Sequence, residues 1–347
     1  MASENEKTRR EFLSDVAKVA AGASAATLTG CFPDVGGEWA HLQEACMDTD
    51  PPAAPAQSAR VVEVHREDSV LTSPARVQES AMRPMLEAAL QALAQGEKPW
   101  PALLPRVTSA TRVGIKVNCL NPDCPTHPPL IKALVESLKE AFGLDAEHII
   151  VWDRTLAELT RCGFTSDSVG ATVMGTSAQS GGPGYSDRIC GMVAGKAPRL
   201  SKILTDLTDV TINVPVLKTH GVSGVTAGFK NIYGIIDNPE VYHSNLATAL
   251  PMLYALPPIR NHIKVTLIDA LIAVVAGDTS SSPDAIPRRL IAATDPLAAD
   301  SHAVALVNEM RVTKNLRQLG EDSVPWIAGA AKLGLGSQRF ELAKIAS

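Results

Sequence analysis

The sequence predicts an α/β fold: a mostly parallel central sheet with helices packed on both faces, in three layers. Three observations carry that prediction. Short runs rich in Val and Ile alternate along the chain with segments of helical spacing, and such alternation builds a parallel sheet through crossover helices. The runs are apolar almost throughout, as strands covered on both faces are. Of the 347 residues 45% are hydrophobic and 20% charged, enough apolar material for one sizeable core.

The elements follow in order. Arg60–His65 is the first strand candidate, and Pro84–Gln95 carries Met85, Ala88, Ala89, Ala92 and Leu93 at helical spacing. Arg112–Asn118 is a strand. Pro129–Phe142 is a helix with Leu130, Leu134, Leu138 and Ala141 on one face and Gly143 as its stop. His148–Asp153 is a strand, Leu156–Cys162 a helix and Ala171–Met174 a strand, and the Gly/Ser-rich Ser177–Gly184 is a loop. A helix is expected over Leu200–Leu207 and one buried strand over Asp209–Leu217. Thr226–Tyr233 and Leu246–Leu256 read as helices, Lys264–Asp269 and Leu290–Thr294 as strands, and Ala298–Glu309 as a helix. There is no internal repeat. Residues 60–347 thus read as a single Rossmann-like domain.

What precedes it reads differently. Thr8-Arg9-Arg10-Glu11-Phe12-Leu13 and the Ala/Gly-rich stretch after it resemble a twin-arginine export signal, an address read by a receptor. Leu28-Thr29-Gly30-Cys31 resembles a lipobox, in which Cys31 receives a lipid; ordinary cleavage nearer Ala23 leaves Cys31 a bystander. Residues 1–30 are thus assigned to a signal peptide and 31–59 to a Pro/Ala-rich linker. The expectation is a lipoprotein on the periplasmic side of a bacterial membrane, with the twin-arginine translocase and the membrane as partners. A net charge of −5 and no basic stripe argue against a nucleic-acid partner. No run reaches the ~18 apolar residues of a membrane span.

Ligands of such sheets bind beyond the carboxyl ends of the strands, and polar residues gather at those ends here. One apolar run delivers Lys218, Thr219 and His220 into a turn holding Gly221 and Gly224, and Lys230 and Asn231 follow on the expected helix. That helix would offer free N–H groups to a small anionic ligand. Lys230 falls at the edge of its buried face; desolvation there favours a nucleophilic amine, and the alternative is a side chain that snorkels to water. Lys116, Asn118 and Asp153 end two further strands. Cys119, Cys124 and His127 share a loop that could hold a soft metal or could simply be a Pro-broken turn. His243 is a second candidate imidazole or an ordinary surface one. Asp295 and Asp300 read as caps or solvent-facing acids, and His302 as structural. The Cys119-x4-Cys124 spacing fits neither a zinc ribbon nor a ferredoxin, so no iron–sulfur cluster is expected.

Several segments then line up with a known family. GIKVN, THPPLIKALVESLKEAFG, IIVWD, NVPVLKTHGVSGVTAGFKNIYG and ATDPLAADSHAVALV, in that order, resemble domain-of-unknown-function family 362, in its twin-arginine-exported branch. Many relatives carry a ferredoxin-like cluster module that is missing here. A remoter similarity is to the nickel-pincer lactate racemase family, where a His precedes by ten residues the Lys that holds the cofactor. His220 and Lys230 have that separation. His243 follows sooner than that family's second metal-side His. The resemblance implies a transition metal or a Lys-linked organic cofactor: Lys230 the attachment point, His220 a base or metal ligand, His243 a second ligand, Lys218 the binder of a carboxylate or phosphate. Thr219, Gly224 and Asn231 would line the ligand. Two functions are in view, a metal- or cofactor-dependent redox or proton-transfer enzyme and a non-catalytic lipoprotein that binds an anion or metal.

Overall fold

The computed structural model describes residues 59–347. The export signal, Cys31 and the linker lie outside the described residues. In chain order the elements are β1 (Ala59–His65), β2 (Val70–Thr72), β3 (Ala75–Val77), α1 (Glu79–Leu93), α2 (Pro99–Leu103), β4 (Val113–Lys116), α3 (Pro128–Phe142) and β5 (Ile149–Asp153). There follow α4 (Leu156–Arg161), α5 (Ser166–Val169), β6 (Thr172–Gly175), β7 (Val210–Asn213), β8 (Val216–His220), β9 (Gly224–Thr226) and α6 (Gly228–Asn231). The remainder is α7 (Leu246–Ala255), α8 (Pro257–His262), β10 (Ile263–Val274), β11 (Arg289–Ala293), α9 (Pro296–Thr313), α10 (Trp326–Lys332) and β12 (Phe340–Ala346).

The main sheet runs β12-β1-β11-β10-β7-β4-β5-β6, with β8 branching from β10 and β9 from β8. Pairings from β10 through β6 are parallel, as is β1 with β12; β11 is antiparallel to both of its neighbours. The mostly parallel α/β architecture read from the sequence is therefore the one present. Each face has its own core. Met82, Met85 and Leu86 of α1 with Leu130, Leu134 and Leu138 of α3 cover one side. Leu250 and Leu253 of α7, Leu297 and Leu306 of α9 and Trp326 of α10 cover the other. Burial of this kind contributes roughly 1.5–3 kcal/mol per large apolar side chain. Gly143 ends α3 at φ +68° with its N–H on the Lys139 carbonyl, as its place after the apolar stripe predicts.

Departures from expectation cluster around the strand ends. The single strand expected over Asp209–Leu217 is two, β7 and β8, broken at Val214–Pro215. Pro215 has no N–H for the ladder, and beyond it the chain keeps β10 as partner and leaves β4. The helix expected over Thr226–Tyr233 is an antiparallel return strand, β9, then the single turn α6 and a 3-10 turn, Ile232–Ile235. Gly224, at φ +71°, makes that return possible; a Cβ there would meet the Ser323 carbonyl oxygen at 2.4 Å. Leu200–Leu207 holds only a π-helical turn, Ile203–Leu207. The strand expected to end at Asp269 continues to Val274, because the buried carboxylate is satisfied sideways by the Leu271 and His127 N–H groups. Spacing predicts neither α10 nor β12.

Candidate functional site

Lys116 shows how the sheet builds a site. It ends β4 with its neighbours buried on both faces, so its ammonium lies 0% exposed and must find partners inside. It donates to the Val117 carbonyl and to Asp153 Oδ1 at the end of β5, both at 2.7 Å. Asp153 is itself saturated: Oδ1 accepts the Arg154 N–H and Oδ2 the Cys119 N–H. A buried ion pair of this completeness holds the ends of two parallel strands at a fixed separation.

A second polar chain joins the remaining strand ends. Lys218, also 0% exposed, donates to Asn118 Oδ1 at 2.8 Å and to the Cys124 carbonyl at 3.1 Å. Asn118 Nδ2 donates to Asn231 Oδ1, Asn231 Nδ2 to Asn213 Oδ1, and Asn213 Nδ2 to the Gly228 carbonyl. These contacts give Lys218 no carboxylate partner, and burial draws its pKa below the usual lysine range. Asn213 was not singled out by sequence. The signal that could have found it is an amide ending the β-branched run Val210-Thr211-Ile212.

Above this floor opens a cleft of about 260 Å³ whose lining includes Lys116, Asn118, Asp153, Lys218, His220, Lys230, Asn231, Tyr233 and His243. Lys230 Nζ lies 3.6 Å from the centre of the Tyr233 ring and 3.5 Å from His243 Nε2. Burial lowers its pKa to about 7, offset only in part by Asp278. Near neutral pH a large fraction of Lys230 is therefore free amine. Burial and the neighbouring Lys230 lower His220 to about 4 and move His243 downward too, so both rings are neutral imidazoles there.

Their tautomers differ, and the backbone sets them. His220 Nδ1 accepts the N–H groups of Val222 and Ser223, so in the neutral ring the proton sits on Nε2. His243 Nδ1 lies 3.1 Å from the Pro239 carbonyl, which only accepts, so this ring keeps a lone pair on Nε2, towards Lys230. The rings stack with centroids 5.9 Å apart. His220 thus offers a hydrogen-bond donor and His243 a base. Of the three imidazoles expected as metal ligands, His243 turns an unprotonated ring nitrogen towards Lys230, whereas the tautomer set on His220 leaves it an N–H to offer. Lys230 fits a covalently held organic group.

Other expectations fare unevenly. Strand alternation turns Thr219 away from Lys218 and His220, and its hydroxyl donates to the Gly277 carbonyl. Gly224 serves the hairpin, and neither residue lines the cleft. His127 Nδ1 is 2.8 Å from Asp269 Oδ2, and Cys124 Sγ points to the Ile272 carbonyl. Cys119, Cys124 and His127 therefore do not converge, and among the described residues no group of three or more His, Cys, Asp or Glu is arranged to hold a metal. The helix N-terminus expected to bind an anion is occupied. Asp300 takes the Gly228 N–H at 2.7 Å and the Phe229 N–H at 2.9 Å, and is 0% exposed rather than facing solvent. Asp295 does cap α9, and His302 is buried against Glu63.

With this geometry in view, comparisons with known proteins add the following. The model of a family described as Domain of unknown function (DUF362) matches residues 113–305, more than half of the chain. No curated protein matches. Among solved structures, the lactate racemase apoprotein from Thermoanaerobacterium thermosaccharolyticum is similar at 13% identity and a TM-score of 0.43, over 75% of this chain and 59% of that one. A protein from Thermotoga maritima is similar at 14% identity and a TM-score of 0.41, over 67% and 59%. The chain therefore spans under two thirds of the length of either.

Proposed function

The chain belongs to the family Domain of unknown function (DUF362), and from its cleft we propose an enzyme that holds an organic group covalently on Lys230 and moves protons at it. The observation that carries this reading is a lysine amine, lowered to about 7 by burial, on the wall of a cleft and beside an imidazole lone pair. A neutral amine is a nucleophile and an ammonium is not. In this reading His243 Nε2 takes the proton that the amine sheds, and the His220 Nε2–H donates to an oxygen that gains charge. Lys218, without a carboxylate partner, would take a carboxylate or phosphate of the bound group. A Lys-linked cofactor would supply an electron-withdrawing centre; the residues described here would bind and orient it.

Export belongs to the same proposal. It is supported by Arg9-Arg10-x-Phe12-Leu13 and Leu28–Cys31, and it puts the cleft on the periplasmic side, lipid-anchored at Cys31, after passage through the twin-arginine translocase. The test is the intact mass of the mature protein purified from its own periplasm, followed by peptide mapping. An adduct on the Lys230 peptide that is missing from Lys230→Ala is the expected result. An unmodified Lys230 in protein that turns over a substrate would overturn the proposal. An unmodified Lys230 with a stoichiometric bound anion would favour the alternative, a non-catalytic anion-binding lipoprotein, for which the supporting observation is that the hydrogen bonds of Lys218 go to neutral groups.

A further inference from the structure

The sequence puts Cys119 and Cys124 in one loop, and the structure brings Cys162 to Cys119. Cys162 follows α4, and its Sγ is 3.5 Å from the Cys119 carbonyl oxygen. Each of the two thiols also shifts the other's titration, which marks them as electrostatic neighbours. All three described cysteines of this region, Cys119, Cys124 and Cys162, are free. We propose that Cys162 and Cys119 are a peroxide-reactive pair in which Cys162 is oxidised first and Cys119 closes the disulfide.

The two sulfurs are not equivalent. Cys162 is 8% exposed and Cys119 0%, so a reagent from solvent meets Cys162 first. The neighbouring Cys119 side chain, with help from Arg161, holds the Cys162 thiol below its ordinary pKa, whereas burial pushes Cys119 well above. A small oxidant suits a thiol this buried, and hydrogen peroxide is the one we name. The Cys162 thiolate attacks one peroxide oxygen. An S–O bond forms, the O–O bond breaks, and the departing hydroxide leaves as water after taking a proton. Cys119 sulfur then attacks Cys162 sulfur; the S–S bond forms, the S–O bond breaks, and the Cys119 proton leaves with the hydroxide as a second water. The two sulfurs together lose two electrons and the peroxide gains them.

The pair is joined to the cleft lining through Asp153. The Cys119 N–H donates to Asp153 Oδ2, and Asp153 Oδ1 holds Lys116. A disulfide there ties the segment after β4 to the end of α4, and so ties down the carboxylate that organises two strand ends. Cys124, pushed up to about 12 by burial and turned to Ile272, is the internal control.

The experiment exposes the purified protein to hydrogen peroxide, blocks remaining thiols under denaturing conditions and maps the peptides by mass. The expected product is a Cys119–Cys162 linked peptide, two hydrogens lighter than the reduced pair, with Cys124 still fully blocked. In Cys119→Ser, a sulfenic acid at Cys162 should be trapped by dimedone, and no such adduct should form in Cys162→Ser. Recovery of both thiols in the blocked form, at peroxide concentrations that oxidise a free-cysteine control, would overturn the inference. So would a link to Cys124. The wild-type map decides the matter even if a variant fails to fold, and none of these outcomes depends on what Lys230 carries.

Discussion

Lys230 couples chemistry to stability through a single proton. In the unfolded chain a lysine keeps its proton to about pH 10.4, whereas in the fold burial brings Lys230 to about 7. Between those values the unfolded state binds more protons, so this residue makes the protein more stable as pH rises from about 7 towards 10. Lys230→Met should flatten that rise and stabilise the protein most at and below pH 7, as followed by chemical denaturation across pH. Competitive labelling with an acylating reagent should give Lys230 a half-maximal rate near pH 7, and an ordinary pH profile at that residue would sink the reading. Asp300 runs the other way: its folded pKa, raised to about 7 by burial, lies above the unfolded value near 3.9. Its contribution is complete below about pH 4 and is lost as pH climbs through 7. Lys116→Met is expected to cost about 3–5 kcal/mol, because it strands Asp153 as an unpaired buried charge.

At the scale of elements, the short turn α6 depends on groups far from it in sequence. Asp300→Ala would leave the Gly228 and Phe229 N–H groups without their acceptor, at roughly 1–3 kcal/mol each. Beyond lost stability, Lys230 should regain an ordinary lysine titration if the turn loosens, a readout that separates positioning from bulk destabilisation. Gly224→Ala forces a Cβ against the Ser323 carbonyl at a positive φ and is expected to cost on the order of 1–3 kcal/mol by thermal unfolding. These elements also mark where sequence legibility ended. Lys218, His220 and Lys230 could be placed on one cleft because strand and turn punctuation is local. The hairpin β8–β9 could not, since its partner register is set by Gly224 packing on residue 323. Nor could the Asp300 cap: an Asp one turn inside α9 looks like any solvated acid until a chain segment 72 residues away supplies its donors. Tautomers of His220 and His243 were out of reach for a different reason: their partners lie only two to four residues away, but backbone geometry alone aims those amides and carbonyls at a ring nitrogen.

For the whole molecule, the layered α/β design was legible from alternation alone, because each parallel strand and its covering helix lie close in sequence. The far edge was not. β12 pairs with β1 across the full length of the domain, and its alternating exposure gives only a faint apolar signal. Removing residues 340–347 would uncover an edge strand, β1, with hydrophobic neighbours. The expected outcome is a lower melting temperature and concentration-dependent association in light scattering, with the fold of the β10–β6 half retained in hydrogen exchange.

That edge also fixes an orientation. Because β11 reverses direction between β10 and β1, β1 runs the same way as the strands whose carboxyl ends form the cleft. Ala59 therefore enters at the opposite rim of the sheet, beside Phe340. A tether attached ahead of residue 59 pulls on the rim away from the cleft, leaving its mouth directed outward. Protein immobilised through an amino-terminal tag should then admit a cleft-directed reagent as freely as protein in solution.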